Sequence, residues 1–224
     1  MNDLQDQAAR RLDAVRSAIA RSARLGGRTP EDVTLIAVAK THGADEIEPL
    51  IRAGQRIFGE NRVQEAQAKW PALRDEWPDL ILHHVGQLQS NKAVDAVELF
   101  DAIHGVDRPS LVDALGDAMA RTGRRPDCFI QVNIGDEPQK GGVAISGLGD
   151  LVERSRAAEL PIVGLMCVPP VGVEAAPYFA LLRKLAKDHG LAGLSMGMSG
   201  DYETAVLAGA THVRIGTALF GARA

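Results

Sequence analysis

Short, nearly continuous apolar runs punctuate this chain, each followed by a polar or glycine-marked turn and then by a stretch with helical periodicity. The runs lie at 33–39 (VTLIAVA), 56–59 (RIFG), 80–86 (LILHHVG), 99–106 (LFDAIHGV), 128–134 (CFIQVNI), 162–168 (IVGLMCV), 193–198 (GLSMGM) and 211–217 (THVRIGT). They read as strands. Amphipathic stretches such as 44–53, 108–121, 148–157 and 175–187 read as the helices between them. Strands alternating with helices pair in parallel through right-handed crossovers. Such a series with no second domain predicts a closed (β/α)8 TIM-type barrel spanning 1–224 as one domain. Ahead of it, Leu4, Leu12, Val15 and Ile19 form one helical stripe, and Gly26-Gly27 offers a stop. An additional N-terminal helix over 1–27 is therefore expected to pack on the barrel. A doubly wound open sheet is the alternative, but the first strand ends in AKTHGAD and not in GxGxxG.

Composition narrows the partners. A formal net charge of −4 argues against a nucleic-acid or anionic-membrane binder, which needs a cationic face. It leaves room for a small basic pocket that captures a phosphate. Cys128 and Cys167 each sit in an apolar run, outside any CxxC or metal-ligand spacing, and read as buried, inert thiols. No metal site is expected. The N-terminal stretch lacks the apolar core of a signal peptide, and its aspartates (Asp3, Asp6, Asp13) speak against a transit peptide. No stretch is apolar enough to span a bilayer, so a cytoplasmic location is expected.

Lys40 directly follows the first strand, which in a parallel barrel places it at the C-terminal rim where active sites gather. A lysine there can snorkel into solvent. It can equally form a Schiff base, because burial near other cations leaves the free amine that attacks a carbonyl. At the other end of the chain, Ser199-Gly200-Asp201 and Gly216-Thr217-Ala218 place hydroxyls and glycines where helices begin. Ordinary capping would explain one such segment; two on adjacent strands favour a phosphate cradle. Strand alternation puts His212, Arg214 and Gly216 on one face, with Val213 and Ile215 on the other. Arg214 is thereby aimed at the barrel mouth. Beside a pyridine nitrogen, a donor-only guanidinium would keep that nitrogen unprotonated.

The segments AVAKTH, FGENRVQEA, HHVGQLQSNK, IQVNIGDEPQKGG, GLMCVPP, LSMGMSGDYETA and VRIGTALFGAR, in this order, closely resemble the pyridoxal 5′-phosphate (PLP) homeostasis protein family (YggS/PROSC). The resemblance runs from about Val33 to the C-terminus. It implies the barrel domain of alanine racemase, PLP fold type III, with PLP as a Schiff base on Lys40. It implies Ser199, Gly216 and Thr217 around the phosphate, Arg214 near the pyridine nitrogen, Asn61 beside the ring and Met166 lining the pocket. The chain departs from many members at Ala39, where serine is common, and at Arg62, where tyrosine is common.

Other conspicuous residues have simpler readings. Gln131 and Asn133 suggest a structural hydrogen-bond layer. His83 and His84 are adjacent, point oppositely and cannot form a two-histidine metal site. Residues 89–92 favour helix capping. Glu60 and Glu65 are expected at solvated helix positions.

Two functions follow from the resemblance. The first is a carrier that holds PLP for intracellular vitamin B6 homeostasis, with PLP-dependent apoenzymes as acceptors, acting as a monomer or weak dimer. The second is an amino-acid racemase. Racemisation needs a second acid/base on the opposite ring face, supplied in alanine racemase by a tyrosine from a C-terminal domain. The chain has only Tyr178 and Tyr202, both in helical stretches, and no length for that domain, so the carrier is expected. A class I aldolase would share the lysine and cradle but give Arg214 no ring to meet.

Overall fold

The computed structural model describes residues 2–221; Met1 and residues 222–224, which include the last two residues of the final motif, lie outside them. The elements run α1 (Asn2–Leu25), β1 (Thr34–Val38), α2 (Ala44–Arg52), β2 (Ile57–Glu60), α3 (Val63–Glu76), β3 (Ile81–His84), α4 (Ala93–Leu99), β4 (Ala102–Val106) and α5 (Pro109–Thr122). They continue β5 (Asp127–Gln131), α6 (Leu148–Ala157), β6 (Ile162–Met166), α7 (Ala176–Asp188), β7 (Gly193–Ser195), α8 (Tyr202–Leu207), β8 (His212–Ile215) and α9 (Thr217–Phe220). The strands pair in parallel in chain order, and β8 closes on β1 through Thr34↔His212 and Ile36↔Arg214. The sheet is therefore the closed barrel and not the open alternative.

Alternation along the strands builds two layers. Leu35, Ala37, Phe58, Leu82, Ile103, Ile130, Leu165, Val213 and Ile215 are buried in the main hydrophobic cluster, the face that packs on the helices. The opposite parity turns inward. β3 and β8 are not neighbours, so the 6.2 Å ring contact of His83 with His212 crosses the lumen. Phe129 joins them, stacked on His104 at 4.3 Å. Room for it comes from Gly193, where a Cβ would lie 2.8 Å from Phe129 Cε1, paired with Gly164, where a Cβ would strike the Gly193 carbonyl.

The helices bury the faces their periodicity predicts, for example Leu111, Val112, Leu115 and Met119 of α5. That helix ends on Gly123 at φ 71, with its amide donating to Met119 O, the left-handed stop glycine favours. α1 buries Leu12, Val15 and Ile19 and packs on α2, α8 and α9, but Leu4 is 67% exposed and not part of the stripe. Every strand except β2 is shorter than the apolar run that predicts it, β4 and β7 among them. Leu99 closes α4, and β7 stops at Ser195 because Gly197 adopts φ 95 and bends the chain into the mouth. No helix among the described residues is long and apolar enough to cross a membrane.

Candidate functional site

Lys40 stands two residues beyond the end of β1, in a turn closed by the His42 amide donating to Ala39 O at 3.1 Å. Thr41 takes φ 64, an unfavourable conformation for a β-branched residue. The turn is tied from outside. Lys69 Nζ of α3 donates to Ala39 O (3.1 Å) and His42 O (2.8 Å), and lies 2.6 Å from Glu60 Oε1. These three contacts match the donors of one ammonium. Glu60 also accepts from Trp70 Nε1 at 3.0 Å and is fully buried. The expectation of a solvated helix position thus fails for Glu60: it ends β2 on the parity that faces α3. Glu65, on α3, pairs with Arg62. Lys40 itself makes no hydrogen bond or ion pair among the described residues, so its amine is free.

Removing the Lys69 ammonium leaves a buried carboxylate without its charge partner. Lys69→Met should therefore destabilise the fold by about 3–5 kcal/mol, measured by urea unfolding at neutral pH. A loss below about 1 kcal/mol, the range of an exposed pair, would show that Glu60 is relieved some other way.

The second half of the mouth comes from β7 and β8. Asp201, not Ser199, serves α8, its Oδ1 accepting from Met198 N at 2.6 Å. Ser199 Oγ instead accepts from Ala218 N at 3.3 Å, bridging the two rim segments. Arg214 projects inward from β8 and is only 5% exposed. It donates through Nη1 to Ser195 Oγ at 2.7 Å and through Nη2 to Cys167 O at 2.9 Å. It has no carboxylate within ion-pair distance among the described residues. A buried cation without a counter-charge is costly, and its remaining donors suit an anionic or electron-rich ligand.

These parts meet. Lys40, His42, Asn61, Val85, Val168, Met198, Ser199, Gly200, Arg214, Gly216 and Thr217 line one cavity of about 370 Å³, within the range of small-molecule sites. A larger, shallower hollow of about 800 Å³, lined by Arg16, Thr34 and Gln55, lies at the opposite end of β1 and β2. It gathers none of this chemistry. Of the seven residues anticipated from sequence, six line the cavity. Met166 does not: it is buried at the end of β6, and Val168, two residues further on, takes the lining position.

Below the cavity the lumen is polar. His104 Nδ1 contacts Ser195 Oγ at 2.8 Å and its Nε2 contacts His83 Nδ1 at 3.0 Å. Burial holds His83 down to about 3 and His212 down to about 4, with a second contribution from His212 on the first and Arg214 on the other. His104 lies well below the ordinary imidazole range, first through burial and then through His83, His212 and Arg214. All three are neutral at pH 7. Among the described residues no group of histidine, cysteine or carboxylate side chains is disposed to hold a metal. Cys128 and Cys167 are free thiols pushed up to about 12 by burial, hence inert.

Gln131 and Asn133 bond to the segment after β5, through Gly141 O and the Glu137 backbone, a structural role as expected. Residues 90–92 form a 3₁₀ turn before α4 without side-chain capping; Lys92 pairs with Asp95, and Ser90 Oγ accepts from Arg108. Sequence reasoning overlooked Lys69, Ser195 and His104. The last two lie at inward strand positions, a signal that period-two alternation carries.

A TIM-type barrel with a free rim lysine opposite a hydroxyl- and glycine-lined mouth defines the class, and the family model for the alanine racemase N-terminal domain matches residues 11–224. The chain belongs to the pyridoxal phosphate homeostasis protein family. It is 40% identical over 242 aligned positions to the pyridoxal phosphate homeostasis protein of Escherichia coli K12, covering 100% of this chain and 98% of that one. The Pseudomonas aeruginosa protein of the same name is 41% identical, with 96% and 95% covered. Among solved structures, PipY of Synechococcus elongatus with PLP bound superposes at TM-score 0.81 with 40% identity, covering 96% of this chain and 100% of that one. Alanine racemase from Bacillus anthracis, at 20% identity and TM-score 0.66 over 95% of this chain and 56% of its own, shares the fold.

Proposed function

We propose that this protein is a PLP carrier, holding the cofactor as a Schiff base on Lys40 and acting in intracellular PLP homeostasis. The observation that carries the reading is the convergence, on one cavity, of an unengaged lysine amine and a buried, unpaired guanidinium. PLP supplies a reactive aldehyde on a pyridine ring that bears a phosphate. Lys40 would bind the aldehyde carbon. Ser199, Gly216 and Thr217 would hold the phosphate with hydroxyls and backbone N–H groups. Arg214 would face the ring nitrogen as a pure donor, leaving it unprotonated and the ring a weak electron sink. Asn61 would lie beside the ring, and Met166 would support it from beneath Val168. The relatives named for PLP homeostasis and the PLP-bound PipY support this assignment.

A carrier is favoured over an amino-acid racemase because no tyrosine lines the cavity among the described residues; Tyr178 lies in α7 and Tyr202 in α8. Without that tyrosine, and with the His42 ring of the cavity held by Glu46 and stacked on Phe220, exchange at a substrate carbon would be slow and one-sided. The described residues would work as one domain, in the cytoplasm, as a monomer or weak dimer, with PLP-dependent apoenzymes as acceptors and neither nucleic acid nor membrane as partner.

Purified protein loaded with PLP should be yellow and should restore activity to a PLP-dependent apoenzyme while losing its own absorbance. A protein that stays colourless after incubation with PLP rejects the cofactor. Racemisation of L- or D-amino acids by the loaded protein, followed by optical rotation, rejects the carrier role.

A further inference from the structure

Arg214 does not reach the cavity on its own. Its guanidinium only donates hydrogen bonds, so Ser195 Oγ must accept from Nη1 at 2.7 Å. The one hydrogen of that hydroxyl is then directed to its other contact, His104 Nδ1, at 2.8 Å. An imidazole that accepts at Nδ1 carries its proton on Nε2, which here donates to His83 Nδ1 at 3.0 Å. Both rings are thereby assigned the same tautomer, and the hydrogen bonds share one polarity from Arg214 inward. Stacking on Phe129, 18° from parallel, fixes the plane of His104. Arg214, Ser195, His104 and His83 are all buried, so water does not compete for these partners. This hydrogen-bonded series includes no carboxylate, so no member of it neutralises the guanidinium, whose positive charge stays available to the cavity.

We propose that Ser195 and His104, backed by His83, are positioning residues that orient the Arg214 guanidinium toward the ring of the bound ligand. This role rests on the PLP reading above and adds residues that do not themselves line the cavity. A polar layer that served only the fold would move stability and leave ligand release unchanged; a positioning device moves release.

Two measurements test it. In protein without ligand, side-chain ¹⁵N NMR at neutral pH should find an unprotonated Nδ1 and a protonated Nε2 on His104 and on His83. A protonated Nδ1 on His104 overturns the proposal. In PLP-loaded protein, well below each unfolding transition, Ser195→Ala and His104→Phe should release PLP about tenfold faster than wild type. His104→Asn keeps an acceptor, its Oδ1, near the Nδ1 position and should stay within about twofold of wild type. Equal release from wild type and all three variants overturns the role, as does His104→Asn behaving like His104→Phe; should Ser195→Ala fail to fold, that His104 pair decides. A wild type that takes up no PLP overturns the functional reading itself, and the role with it.

Discussion

Borohydride treatment of the PLP-loaded wild type should fix a PLP-sized mass on the peptide containing Lys40, and Lys40→Ala protein should carry none. The expected effect is complete because no other lysine amine among the described residues lines this cavity. Lys69, the nearest alternative, is held by Glu60 Oε1, Ala39 O and His42 O, and as a charged, fully engaged ammonium it is not a nucleophile. The substitution should cost little stability, within about 0.5 kcal/mol, since Lys40 is half-buried and makes no hydrogen bond or ion pair among the described residues. Unfolding midpoints of the two proteins check that loss of the adduct is not loss of the fold. Label on the Lys69 peptide, or label persisting in Lys40→Ala, would reject the assignment.

The second large effect is on stability in acid. His83, His84 and His212 have folded values near 3, 4 and 4 against 6.5 as model groups, in each case chiefly because burial penalises the charged ring. The unfolded chain therefore binds protons between pH 6.5 and about 4 that the folded barrel refuses. The sign follows: this stability is fully present above pH 6.5 and is lost as pH falls through that window. Each pKa unit is about 1.4 kcal/mol, so His84 alone contributes about 3 kcal/mol. With His83, His104 and His212 the loss approaches the 5–15 kcal/mol typical of a whole domain. Asp127, raised by burial, opposes this, but it is one group against four. Urea unfolding at steps from pH 7.5 to 4.5 should show stability falling steeply below pH 6, ending in cooperative unfolding before pH 4. A flat profile from pH 7 to 5 would mean that water or rearrangement relieves the buried rings.

Much of the architecture was legible because strands and helices announce themselves locally, through periods of two and 3.6 residues. The alternation in THVRIGT sent Arg214 inward, and the position of Lys40 after LIAVA set it at the rim, both as found. Element ends were less legible: Leu99 belongs to α4, and the apolar GLSMGM run turns at Gly197, because closure and backbone conformation rather than hydrophobicity decide where a ladder stops. The same alternation applied to Glu60 would have turned it toward the helices, but its segment reads as helical until the strand pairs with β3 at His84.

The sequence alone thus determined the order of elements, the parallel barrel class and the end of it that carries the chemistry, since those follow from local patterning and chain direction. Tertiary structure decided which polar groups are engaged. Only the closed barrel brings Ser195 to His104, 91 residues away, ties Lys69 to the turn beside Lys40, and leaves Met166 beneath Val168 rather than in the cavity wall. Those pairings depend on distances across a lumen and between layers, and a hydrogen bond or ion pair between remote segments leaves no trace in the periodicity of either one.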